Sequence, residues 1–238
     1  MTASAADIIF TKTSELTSAG GTNSGTPITS TKNSMMVAIT DAERIAGGTR
    51  TMKFCVFNDH ATDAWTLPGT WVVQATGITE VIGLGLDHAD DDDAAQGNMT
   101  AFSGNAVVAL VSNGADTRTV TVVGLTAGGA VQTEAIVLTG AAEVLGLLTF
   151  SAVYGASVSA TGSQIVTLKV GTGGTTRGTI GATFKNCWLW VAANAQGSAI
   201  MLANLAAQTA YCFWWRQTWA PNIAGQRPDT STLYTVDN

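Results

Sequence analysis

Charge is what this sequence has least of. Only 12% of its 238 residues are Asp, Glu, Lys or Arg, about half the ~25% typical of soluble domains. The charge that remains leans acidic, with a formal net charge of −6 and a pI of about 4.7. Lys/Arg clusters are missing, and a chain that displaces counterions from phosphates needs one, so nucleic acid is excluded as a partner class. Long apolar runs are missing too. Gly, Thr and Ser interrupt every apolar stretch well before the ~20 residues that span a bilayer. The N-terminus MTASAADIIF lacks the charged-then-apolar design of a signal peptide. The expectation is a protein made in the cytoplasm without a membrane span, free to leave as part of a larger particle.

Cysteine is scarce and odd in number. Cys55, Cys187 and Cys212 lie in apolar runs (KFCVF, NCWLW, AYCFWW) with no close spacing. That matches neither a disulfide framework nor a zinc site, and three buried thiols acting as small hydrophobes are expected. Catalytic groups are equally thin. There are two histidines, His60 in the turn NDHATDAW and His88 in an acidic loop, and no GxSxG, HExxH, CxxC or P-loop pattern. The glycines of VIGLGLD lack the third glycine and the following helix of a dinucleotide fingerprint, so a strand with close neighbours explains them better. A glycosidase-type carboxylate pair from Glu80, Asp87 or the nearby Asp run has no supporting motif. No enzyme and no cofactor is expected.

What is present in quantity is Gly (26 residues), Thr, Ala, Ser and Val. This composition favours strands joined by tight turns. Residues 1–34 read as one short strand, DIIF, and then a Gly/Thr/Ser-rich arm that cannot pack a core alone and either moves or lies on a partner. Strand signals follow in MMVAIT, TMKFCVFND, TWVVQAT and TEVIGLGLD. In DAERIAGG, Asp41 is expected to cap a single helical turn and Gly47 to end it. In DHADDDDAAQGN five carboxylates, Asp87 and Asp90–Asp93, fall within seven residues. The EF-hand spacing is absent, because Ala95 and Ala101 occupy the Gly and Glu positions counted from Asp90. A solvated acidic loop is the main reading, and an irregular calcium site on Asp90, Asp92 and Asp93 is the other.

From 106 to 182, strand-length runs with turns every 8–12 residues predict an inserted Ig-like β-sandwich of six or seven strands. All seven tryptophans lie outside it. Residues 35–105 and 183–238 therefore form a discontinuous, Trp-rich β-sandwich around the insertion. The fold class is all-β, with two sandwich domains of jelly-roll or Ig-like type.

The stretch YCFWWRQTWAP, 211–221, holds five aromatics in nine residues. Strand alternation sends Tyr211, Phe213 and Trp215 one way and Cys212, Trp214 and Arg216 the other. With one face in the core, Trp214 and the Arg216 stem lie on the surface. That surface meets a subunit through Tyr211, Trp214, Trp215, Arg216 and Trp219, is covered by the chain itself, or stacks a sugar.

These segments together resemble a group of tailed-bacteriophage virion proteins. The resemblance rests on ADIIF before a Gly/Thr/Ser-rich segment, on DAERIAGGTR, on CVFNDHATDAWTLPGTWVV, and on AYCFWWRQTWAPNIAG. In the last, Gln217 stands where the group carries a second Arg, and Trp219 is an added aromatic. VTVVGLTAGGAVQTEAIVLTG with LTFSAVYGASVSATG resembles a second phage building block. The resemblance implies a virion structural component, often of the tail or baseplate, that assembles rather than catalyses. Binding to itself as a trimer or hexamer and to other virion proteins follows, through the 11–34 arm and the 211–219 strand. The alternatives are a virion module that binds a receptor or host-surface glycan, and a capsid decoration protein.

Overall fold

The computed structural model describes residues 7–13, 23–28, 40–66, 68–74, 81–87, 96–102, 104–192, 198–221 and 231–236, with the backbone alone at 71–74, 81 and 231–236. They are predominantly strand, with one short helix. The chain divides into two compact units, 1–84 with 191–238, and 85–190. The boundaries differ from the expected 105/106 and 182/183 for a packing reason. Met99, Phe102 and Cys187 all bury their side chains in the apolar cluster of the second unit.

The first unit holds a five-stranded sheet in the order β2-β1-β3-β15-β5, built from β1 (Ile8–Thr13), β2 (Asn23–Pro27), β3 (Gly48–Asn58), β15 (Ala210–Trp219) and β5 (Val81–Asp87). β5 runs across the 84/85 boundary. Its axis is the β3–β15 ladder, an unbroken antiparallel register from Ala210 opposite Phe57 to Trp219 opposite Gly48. Gly48 leaves room there for the Trp219 indole to lie across the neighbouring strand. A second sheet orders β14 (Ile200–Met201), β4 (Gly69–Gln74) and β16 (Ser231–Val236). The arm is corrected where it is described. β1 pairs with β3, and residues 23–27 return as β2 on β1, so both lie on the chain's own sheet. MMVAIT falls largely outside the described residues. Helix α1 (Asp41–Ala46) is capped by Thr40, whose side chain accepts from the Glu43 N–H while the Glu43 carboxylate accepts from the Thr40 N–H. Asp41, expected as the cap, is instead the first helical residue. Gly47, at φ 72°, ends the helix as expected.

The second unit contains two four-stranded antiparallel sheets. One orders β13 (Asn186–Trp188), β10 (Ala152–Val158), β7 (Thr119–Leu125) and β8 (Val131–Val137). The other orders β12 (Thr176–Ile180), β11 (Val166–Val170), β6 (Ala106–Ser112) and β9 (Val144–Phe150). Residues two apart from each sheet enter one apolar cluster: Val108 and Leu110, Val120 and Val122, Val166 and Leu168. The glycine of β5 at Gly85 has the role expected of it, since a Cβ there would strike the indole of buried Trp188.

Candidate functional site

The aromatic strand β15 is the leading candidate from the sequence. Phe213 and Trp214 are fully buried, and Trp215 and Trp219 nearly so. Tyr211 and Arg216 are half-buried, and burial pushes the Tyr211 phenol up and the Arg216 guanidinium down. Phe213 stacks on Phe54 at 5.5 Å, and Phe54 meets Phe10 at 6.0 Å. On the opposite face Trp214 stands across from buried Lys53, whose Nζ lies 6.0 Å from the ring. Trp219 donates its indole N–H to the Glu43 carbonyl at 3.0 Å. The expectation that Trp214 lies on the surface is therefore corrected. At Phe213–Trp215 both faces of β15 are interior, while Tyr211, Cys212 and Arg216–Thr218 are half-buried.

The three-thiol expectation is corrected as well. Cys212 sits directly opposite Cys55 in the β3–β15 register, the Cα atoms are 4.0 Å apart, and the two form a disulfide. Only register brings residues 157 apart in sequence together. Cys187 remains a buried free thiol that burial pushes well up, so it stays protonated.

His60 serves its own turn. Its Nδ1 accepts from the Thr62 N–H at 3.2 Å and the Asp63 N–H at 2.8 Å. Buried Asn58 anchors that turn, donating its carboxamide to the carbonyls of Asp63, Leu205 and Ala206. Asp90, Asp92, Asp93 and His88 lie outside the described residues. Asp87 is buried and accepts from the Asn186 carboxamide. Among the described residues no group of three or more His, Cys, Asp or Glu is placed to hold a metal ion, and no helix is long and apolar enough to cross a membrane.

Sequence reasoning missed a surface on β9. Between Thr149, opposite Val107, and Leu145, opposite Ala109, β9 carries more residues than β6, so Gly146, Leu147 and Leu148 bulge out of the ladder. Glu134 on β8 caps the bulge, accepting from the Leu147 N–H at 2.5 Å and the Leu148 N–H at 3.3 Å. Gln132, two residues earlier on β8, donates its side-chain amide to the Thr149 carbonyl at 2.6 Å. These bonds satisfy backbone groups that an edge strand leaves open. What remains outward is apolar: Leu147 is 90% exposed, Leu145 48% and Leu148 39%, and Val137 at the end of β8 is 56% exposed. The signal was present in VLGLL, which does not alternate as a half-buried strand should.

Comparison with known proteins finds no family model that matches the chain, and no curated protein or solved structure similar to it.

Proposed function

We propose that this chain is a structural component of a tailed-phage virion, of the tail-tip or baseplate region, that assembles with copies of itself and with neighbouring virion proteins. In this reading the two four-stranded sheets of 85–190 form an Ig-like sandwich carried by a β-sandwich host unit. The chain acts as a scaffold: it contributes uncharged β surface and no chemistry of its own. The observation that carries the assembly is the leucine bulge of β9. Contiguous exposed apolar side chains mark interaction sites, and water gives a bulge no reason to present Leu147 and Leu148 beside Leu145. Because Glu134 and Gln132 already occupy the edge, the contact is made by side chains and not by strand addition.

The test is the solution mass by light scattering across a range of concentrations, for the wild type and Leu147→Glu. A trimer or hexamer stable on dilution, which the Glu variant shifts to smaller species with unchanged circular dichroism, is the expected result. A wild-type monomer at every concentration, or an oligomer indifferent to the substitution, overturns the assembly reading of this surface.

A further inference from the structure

We propose that the Cys55–Cys212 disulfide is a redox latch on the first unit. The unit folds by strand pairing while both thiols are reduced, and oxidation then fastens its two chain segments, 1–84 and 191–238, to each other. β3 and β15 come from opposite sides of the 85–190 segment and meet in one long ladder, and Cys55 faces Cys212 within that ladder. Apart from the disulfide, this meeting of distant segments rests on noncovalent pairing. The pairing itself sets the two sulfurs together, so native structure precedes the bond and selects it.

Selectivity follows from the third cysteine. Cys187 is buried in the apolar cluster of the other unit and faces Ala156 across its own ladder, so no second sulfur is held opposite it. One pairing is accessible. Burial then sets the order in which the two sulfurs react. Cys55 has no exposed surface, and on its own strand it is flanked by buried Phe54 and Val56. Cys212 keeps partial exposure at the surface of the same ladder, which makes it the sulfur that meets an external oxidant first. In the exchange, the Cys212 thiolate attacks a small disulfide such as oxidised glutathione and releases one thiol. The Cys55 thiolate then displaces the second, forming the Sγ–Sγ bond. Two protein thiols lose two protons and two electrons, and one oxidant disulfide becomes two thiols. A chain made in a reducing compartment and carried to an oxidising one is thereby hardened after it has folded.

Two measurements on the full chain test this. The first is a thiol count under denaturing conditions. Protein folded in excess reductant yields three reactive thiols, and after exposure to oxidised glutathione it yields one, that of Cys187. Dithiothreitol should restore the count quickly in denaturant and only slowly under native conditions. The second is limited proteolysis mapped by mass spectrometry. Reduction of the wild type, and separately Cys55→Ala with Cys212→Ala, should accelerate cleavage within 1–84 and 191–238 at least about tenfold. Cleavage within 85–190 should not change. Where the double variant does not fold, the reduced wild type supplies the reading. Three thiols persisting after oxidation overturn the latch, as does reduction that leaves 1–84 and 191–238 equally resistant or loosens 85–190 to the same degree.

Discussion

Glu43 has several partners at one turn. Its carboxylate closes the capping box with Thr40, and it takes the Arg50 guanidinium at 2.6 Å, while its carbonyl accepts from Trp219. Arg50, followed by the Thr40 bonds, holds its carboxyl down from 4.5 to about 2. The folded state therefore binds the proton more weakly than the unfolded one. The stabilisation is complete above 4.5 and is lost as pH falls toward 2. Thermal melts of the wild type and Glu43→Gln should differ by a constant amount above pH 4.5 and converge on acidification. A gap that widens in acid contradicts the network. The sequence announced this turn but not its cap: DAERIAGG contains the helix and its terminating glycine, while Thr40 became the cap because a Glu three residues on completes a capping box, which Asp41 does not have.

At the scale of elements, the strands were legible and their surroundings were not. KFCVF, VVALV, TVTVVGL and VTLKV carry the β-branched and aromatic residues that pleated, half-buried surface selects, and each is strand. Alternation tells which residues share a face; it does not tell whether the second face is wet. On β15 Phe213 and Trp214 point opposite ways and both are fully buried. Cys55 and Cys212 were unpaired on the page for a related reason, since register between strands from distant segments is a tertiary fact. A core strand with this much aromatic surface has a measurable consequence. Phe213→Ala removes the partner of Phe54 and should cost about 3–5 kcal/mol in urea denaturation. Thr218→Ala, half-buried on the same strand with its hydroxyl bonded to that of Thr49, should cost no more than about 1 kcal/mol. A Phe213 variant as stable as the Thr218 one would contradict the burial of this face.

At the scale of the molecule, the discontinuous layout could be suspected from where the tryptophans fall, but its limits could not. Trp188 and Trp190 meet edge-on in the 85–190 unit at 6.0 Å, so the Trp-rich and Trp-free division of the sequence is not the division of the fold. The two units also carry separate fastenings. In the second, Arg118 grips the nearly buried carboxylate of Asp116 and donates to the carbonyls of Ala160 and Gln164. That guanidinium holds the Asp116 carboxyl below its ordinary value. Arg118→Ala leaves a nearly buried carboxylate without its cation and should destabilise 85–190 by about 3 kcal/mol. Hydrogen exchange read by mass spectrometry should show faster exchange in 85–190 and unchanged exchange in 1–84 and 191–238. Uniform acceleration would mean that the two units unfold as one.

The chain leaves the first unit at Leu84 and re-enters at Val191, and these two residues exchange both backbone hydrogen bonds, at 2.8 and 2.7 Å. Exit and return are thus a doorway one bridge wide, closed by the host unit's own backbone. The spacing of the two ends of the 85–190 segment is thereby set by backbone alone, whatever side chains stand at 84 and 191.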